Sequence, residues 1–301
     1  MLTPAVTSLI ADLSLGEPPT TWHPTAAMGS WISACRRLRR SSNSLGAALE
    51  GAMTVASGMA LTAAAGHAAD RLIERAPVGQ RALVEGLALK PALSINALLR
   101  AARRVQNLLA GNRVDAARRA LGRDLVSRDT RDLSVTEMIG ATIESVAENL
   151  SDSFVGPLIA FRLGGLRGAY LYRFINTADA MLGYHTPELE WFGKTAARLD
   201  DVANLLPARS SAVLIAIAAP FGGGSSRRAI HVASRDARRT ESPNAGWPMA
   251  AMAGALNVRL TKRGHYTLNS RAREPVASDI GRSCSIVLAA SALAATMVDA
   301  L

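Results

Sequence analysis

Apolar residues gather into four long runs, residues 45–66, 154–175, 205–222 and 283–301, with a weaker one over 82–99. Ala and Leu fill them and β-branched alternation is almost absent, so the pattern predicts an all-α chain. Arginine-rich stretches separate the runs at 36–40, 100–131 and 227–239. Proline and glycine punctuate at 17–19, 221–226 and 242–248, which read as loops. The glycines at 222–224 follow no strand, so that segment is expected to be a flexible connection. No internal repeat is visible.

Which runs face lipid follows from their charges. Residues 45–66 carry one acid, Glu50, and are long enough to span a bilayer. Residues 283–301 are also suited, with Asp299 at their tail, and 205–222 form a shorter candidate holding Arg209. The 154–175 run carries Arg162, Arg167 and Arg173. Each Arg at a helix centre costs roughly 2.5–3.5 kcal/mol, against about 0.3–0.6 regained per large apolar residue. That run is therefore expected inside a bundle or near the interface rather than across it. A multipass helical membrane protein of the cell membrane results, one domain over 1–301, with a buried polar site. The positive-inside rule puts the arginine stretches in the cytoplasm, and 100–132 reads there as a solvated amphipathic helix pair.

Hydrophobic residues at 49% and charged ones at 19% agree with an embedded or compact fold. Net charge is +10. Aromatics are only 4% and no zinc finger, RNP strand or basic zipper is present, so a nucleic-acid partner is not expected. Basic loops flanking apolar helices fit membrane lipid as the partner instead. Cys35 and Cys284 lack metal-ligand spacing and read as small apolar fillers.

Candidate chemistry lies where polar residues recur at helical spacing among Ala and Leu. Glu144, Glu148 and Asp152 stand at i, i+4 and i+8, and four-residue steps drift only about 40° around a helix, which puts them on one face beside Asn149. Asn176 and Asp179 are i, i+3, with Tyr184 and His185 following. Asp200 and Asp201 sit near Asn204, flanked by Arg198 and Arg209. Carboxamides beside carboxylates can hold a substrate amide and a metal together. Clustered acids need a cation among them, and Mg²⁺ is suited because it takes one or two carboxylates and keeps waters. Glu148, Asp152 and Asp201 are its expected holders. Gly193-Lys194-Thr195 is no Walker A loop, since Glu188 stands where its first glycine belongs, but Lys194 offers a point charge for phosphate. Ser242-Pro243-Asn244-Ala245-Gly246-Trp247-Pro248 is a proline-stiffened loop presenting Ser242, Asn244 and Trp247. His23-Pro24 fixes an imidazole before a helix, either as ligand or as cap.

These blocks resemble the adenosylcobinamide-phosphate synthase family of cobalamin biosynthesis (CobD/CbiB type). The likeness rests on Glu144–Asp152, on Arg198-Leu199-Asp200-Asp201, and on Ser242–Pro248. An opening with Asp12, Glu17-Pro18-Pro19, His23-Pro24 and Met28-Gly29 adds to it, and so does Arg128-Asp129-Thr130. It runs to about Gly264. The resemblance implies an acid–amine ligase that joins the propionate carboxylate of (adenosyl)cobyric acid to (R)-1-aminopropan-2-ol or its O-phosphate. ATP and Mg²⁺ are implied by that reaction, not by a nucleotide motif, and other enzymes of the pathway are possible partners. On this view Glu144, Glu148, Asp152, Asp200 and Asp201 are catalytic. Substrate contacts fall to His23, Asn149, Asn176, Asp179, Lys194, Arg198, Asn204, Arg209, Ser242, Asn244 and Trp247.

Three positions depart from the family pattern: Ser153 where glycine is usual, Ala180 where serine is usual, and Met249 where glutamate commonly follows Trp-Pro. A non-catalytic scaffold of the pathway, or a corrinoid transporter, is the alternative.

Overall fold

The computed structural model describes residues 3–17, 23–41, 43–184 and 186–300, with the last two as helical backbone only. Pro18, Pro19, His185 and the Asp299 side chain lie outside what is described. Seven helices come first: α1 (Pro4–Leu15), α2 (Pro24–Arg37), α3 (Ser44–Ile73), α4 (Val78–Leu89), α5 (Ile95–Ala110), α6 (Val114–Asp124) and α7 (Val135–Leu150). Then come α8 (Gly156–Leu182), α9 (Lys194–Ala203), α10 (Leu205–Ala218), α11 (Ser226–Asp236), α12 (Gly246–Leu256), the strands β1 (Leu260–Lys262) and β2 (Tyr266–Leu268), and α13 (Ala277–Ala300). The chain forms two compact units. One holds Met1–Ser94, Gly156–Asn204 and Ala295–Leu301; the other holds Ile95–Val155 and Leu205–Ala294.

In the first unit α3 receives α8 and the segment before α9 through a row of glycines. A Cβ on Gly51 would stand 1.9 Å from the Phe192 carbonyl oxygen, one on Gly58 2.0 Å from the Phe174 ring, and one on Gly66 2.5 Å from Arg167 Cα. Spacings of seven and eight residues keep the three on one side of the helix, where missing side chains let neighbours approach closely. Phe174 and Phe192, both fully buried, fill the core so formed with Ile32, Val55 and Leu182. Glu50, the one acid in the 45–66 run, folds back onto the entering chain and accepts from Ser41 N–H (3.1 Å) and Ser41 Oγ (2.9 Å).

The 154–175 run is not one rod. Gly164 and Gly165 leave helical geometry, Gly165 with φ of 60°, and the helix restarts beyond them. Asp70 caps the restart, its carboxylate accepting from the N–H groups of Leu166 (3.0 Å) and Arg167 (3.3 Å). Among the described residues, three helical segments can cross a membrane by length and composition: Ser44–Ile73, Leu205–Gly222 and Ala277–Val298. A fourth arises if the bent pair Val78–Ala92 and Ile95–Ala110 counts as one. Only 28% of the α3 apolar window is buried by protein, so most of its apolar surface has no protein cover.

In the second unit α7 starts with a capping box, Ser134 and Glu137 each satisfying the other's backbone N–H, and is then buried on all sides from Met138 to Ala147. At Ser151 the pitch changes to a π-helical turn that lasts to Val155. Residues 222–226 are a packed junction rather than a loose tether. Gly223 takes φ of 65°, Ser225 caps α11, and a Cβ on Gly224 would meet the Ala255 carbonyl oxygen at 2.8 Å. The all-α expectation misses one hairpin, which turns at Gly264 (φ 77°) and pairs Leu260 with Leu268, Thr261 with Thr267 and Lys262 with Tyr266.

Gly58→Ala drives a methyl into the Phe174 ring and is expected to cost about 1–3 kcal/mol, the usual range for overpacking. A lower thermal midpoint in detergent, partly restored by adding Phe174→Leu, is the expected result. Equal midpoints for Gly58→Ala and wild type would show slack at this crossing.

Candidate functional site

Within the second unit a cavity of about 170 Å³ opens beside α7. Its walls include Glu144, Glu148, Asn149, Arg128, Lys262 and Tyr266, with Met249 closing one side. Helical spacing brings Glu144 and Glu148 to the same side. Hairpin register does the rest: Leu260 is buried against α7 at Gly140, and two residues on along the same strand face Lys262 projects with its cross-strand partner Tyr266.

Glu144 is only 5% exposed. Its Oε1 has no hydrogen-bond partner among the described residues, while Oε2 faces Arg128 Nη2 at 3.7 Å. Burial pushes its carboxyl up to about 7, and Glu148 adds to the rise against the opposing pull of Arg128, Tyr266 and Lys262. The Tyr266 hydroxyl donates to Met249 Sδ (3.7 Å), and burial with both glutamates nearby holds it protonated well above its usual range. Asn149 is held in place: its Nδ2 donates to the Ser145 carbonyl (3.0 Å) and its Oδ1 accepts from Ser153 Oγ (3.3 Å). Ser153, the departure from glycine, thus orients a wall residue.

Asp152 lies in the π-helical turn and is not among the residues lining this cavity. Among the described residues no three His, Cys, Asp or Glu side chains gather as a metal site. The cavity does have a donor set that suits Mg²⁺ bound with substrate oxygens: two carboxylates one turn apart, one with an unanswered buried oxygen.

The Ser242–Pro248 loop also belongs to this unit. Ser242 Oγ accepts from the N–H groups of Asn244 and Ala245, both at 3.2 Å. Arg209 Nη1 donates to Asn244 Oδ1 (3.2 Å), and its guanidinium lies 5.0 Å above the Trp247 ring. Gly246 is needed because a Cβ there would meet the Ala237 carbonyl oxygen at 2.0 Å. Met249, two residues past Trp247, carries the loop into the cavity wall.

The first unit holds its own polar chain. Tyr172 donates to Asn204 Oδ1 (2.5 Å), Asn204 Nδ2 to Asp200 Oδ2 (3.0 Å), and Asn176 Nδ2 to Asp200 Oδ1 (3.5 Å). Burial raises the Asp200 carboxyl although both carboxamides oppose it. Asp201 turns to Arg198 at 3.4 Å, Lys194 Nζ stacks 4.2 Å over Trp191, and Asp179 lies against Gly183 at the end of α8. His23 caps α2: its Nδ1 accepts from Thr25 N–H at 3.2 Å and its Nε2 donates to Glu17 Oε2 at 3.0 Å. Both ring nitrogens are engaged, in keeping with the capping role. Buried Lys90 joins Glu17 at 2.9 Å and Asp12 at 3.6 Å.

Lys262 and Tyr266 escaped the sequence reading. Alternation on either side of Arg263-Gly264 was the available signal, and it was short.

The family model described as CobD/Cbib protein matches residues 5–295. A cobalamin biosynthesis protein CobD of Dehalococcoides mccartyi is 38% identical over 281 residues, covering 93% of this chain and 90% of that protein. A probable cobalamin biosynthesis protein CobD of Methanothermobacter thermautotrophicus is 40% identical over 261 residues, 87% and 84% of the two chains. One from Methanocaldococcus jannaschii is 34% identical over 275 residues, 90% and 89%. No solved structure matches.

Glu144 supplies a test. Below about pH 4.5 its carboxyl is protonated folded and unfolded; between 4.5 and about 7 only the unfolded chain loses the proton; above 7 the penalty is constant. Stability from this group therefore falls as pH rises through that window, by up to about 3 kcal/mol. Glu144→Gln, neutral throughout, is expected to match wild type near pH 4.5 and to exceed its thermal midpoint by pH 7.5. A difference independent of pH would mean that Glu144 ionises normally.

Proposed function

The chain belongs to the CobD/CbiB family of cobalamin biosynthesis, and from that footing we propose that it makes an amide between the propionate carboxylate of (adenosyl)cobyric acid and (R)-1-aminopropan-2-ol or its O-phosphate. The observation that carries this reading is the cavity in which Glu144 and Glu148 face Arg128 and Lys262. At about 170 Å³ it suits an amino alcohol and the tip of a propionate arm, not a corrin ring, which would lie outside its mouth.

Amide formation asks two things of a protein. The amine arrives as an ammonium and must lose a proton before its lone pair attacks. Glu148 and Glu144 attract the ammonium, and Glu144, poised near neutrality, suits the role of proton acceptor. The carboxylate, a poor electrophile, must be activated; ATP with Mg²⁺, when bound, supplies that activation, and Glu148 is the residue of this cavity that would hold the ion, which leaves Glu144 free to take the proton. Arg128 and Lys262 offset charge on carboxylate or phosphate oxygens. Tyr266 stays protonated and can donate to an oxygen that gains charge. Asn149 fixes the amine's orientation.

What supports an acid–base role is that burial raises the Glu144 carboxyl while the residue stands in the wall of an open cavity beside Glu148. In the first unit Asp200, Asn176 and Asn204 form a second polar surface of the kind that binds substrate amides.

The purified protein, given cobyric acid, amine, ATP and Mg²⁺, is expected to yield the amide by mass spectrometry. Glu148→Ala and Glu144→Gln should each lower turnover by about 10²–10⁴-fold, the range for loss of a general base. Arg128→Ala and Lys262→Ala should raise KM more for the phosphorylated amine than for the free amino alcohol. Growth rescue of a cobinamide-deficient host should follow the same order. Undiminished turnover in both glutamate variants would move the site elsewhere.

A further inference from the structure

The Arg128-Asp129-Thr130 element is only partly used by the cavity beside α7, which takes Arg128 alone. Its three side chains have separate fates. Thr130 is buried and donates to the Arg118 carbonyl (3.2 Å), which anchors the segment between α6 and α7. Arg128 and Asp129 together line a second cavity, of about 340 Å³, whose walls also include Asp132, Glu137, Lys262 and Arg263. Arg128 and Lys262 are thus common to both cavities, and all of these residues lie in one compact unit.

The charges of the second cavity say what fits it. Arg263 holds Glu137 through Nε (3.0 Å) and Nη2 (2.7 Å), and Arg131 holds Asp129 through Nε (2.8 Å) and Nη2 (2.6 Å). Asp132 is exposed. Arg128 stands 3.7 Å from Glu144, and among the described residues neither it nor Lys262 is hydrogen-bonded to a carboxylate. A bare polyanion would be drawn by these two cations and repelled by Asp129 and Asp132. A polyphosphate carrying Mg²⁺ meets no such conflict, because the cations take its oxygens and the carboxylates face a metal ion with its waters. A chain of phosphates is also long enough to lie in one cavity and end at the wall of the other, and about 340 Å³ is within the range of small-ligand sites. On the amide-forming reading, on which this inference rests, the propionate carboxylate lies in the smaller cavity, so its activation has to come from an adjoining space. We propose that the second cavity binds the phosphate chain of a Mg²⁺–nucleoside triphosphate, with Arg128 and Lys262 holding its terminal phosphate.

The test is calorimetric titration of the full chain in detergent, with cobyric acid present, using the β,γ-imido analogue of ATP with and without Mg²⁺. Wild type is expected to bind the Mg²⁺ form more tightly than the metal-free one. K262Q and R128Q should each weaken the Mg²⁺ form by about ten-fold or more, as for loss of a hydrogen bond to a charged group. D132N should narrow the gap between the two forms by about two-fold or more, since it removes a repulsion that only the metal-free chain feels. Asp132 is exposed, so D132N tests the cavity even where a cation variant does not fold. Millimolar 1-aminopropan-2-ol O-phosphate should bind alongside the analogue. Binding that ignores all three substitutions overturns the proposal. So does displacement by the amine phosphate, which would give both cations to that ligand, and so does absence of binding in wild type. Amide formation from ATP, assayed on the same preparations, separates the two readings. Amide made without these binding effects removes the second cavity and leaves the reaction; analogue bound as described with no amide made does the reverse.

Discussion

A carboxylate carried into an apolar interior is the constraint around which the second unit is arranged. α7 is enclosed from Met138 to Ala147, and Glu144 sits in the middle of that enclosure. Ionising such a group without water or a close partner is costly, so the surroundings must either compensate it or leave it protonated. Here they do some of each. Arg128 stands just beyond hydrogen-bond distance, Lys262 and Tyr266 arrive on a hairpin, and Glu148 opposes them all. The balance leaves the proton near the point of exchange at neutral pH, a condition suited to acid–base work and poorly suited to mere stability.

Elsewhere the protein treats its carboxylates differently, whether half-buried or buried. Asp70 is consumed by capping two amides at a helix restart, and Glu50 by the segment leading into its own helix. Asp279 is gripped by two arginines, and Asp236 by Arg235, Arg239 and the Asn269 amide. Each of these carboxylates has its oxygens answered, as buried polar groups generally do. Glu144 stands apart from these four in lining a cavity with its carboxyl raised by burial, and that combination marks the site.

Much of this could be read in advance because helical periodicity is strong in Ala- and Leu-rich sequence. The runs at 45–66 and 205–222, the amphipathic α5 and α6, and the reach of Asn204 to Asp200 follow from spacing alone. Three arginines argued against a crossing at 154–175, although the physical interruption there is a glycine pair that the charge argument did not identify. What stayed hidden depended on distant partners. Nothing in the residues 148–155 forbids α pitch, so the π-helical turn that holds Asp152 left no local trace. Gly222-Gly223-Gly224 looked like slack chain because the closeness of Ala255 and Arg282 cannot be inferred from the glycines themselves. The hairpin was missed because its strands have three residues each, too few for alternation to rise above chance. The match to a known family identified the chain more firmly than any single motif could.

Placement of Lys262 and Tyr266 by strand pairing has an evolutionary corollary. Side chains on a strand alternate between faces, and Leu260 against α7 fixes the face of Lys262, so adding or deleting one residue in the 263–265 turn would slip β2 against β1 and exchange the phenol of Tyr266 for Thr267 in a single step. The phenol would leave the cavity while the cation and the helices around it stayed. Length variation at this turn is therefore a coarse, all-or-none lever on the chemistry, whereas point changes in the helices tune it gradually.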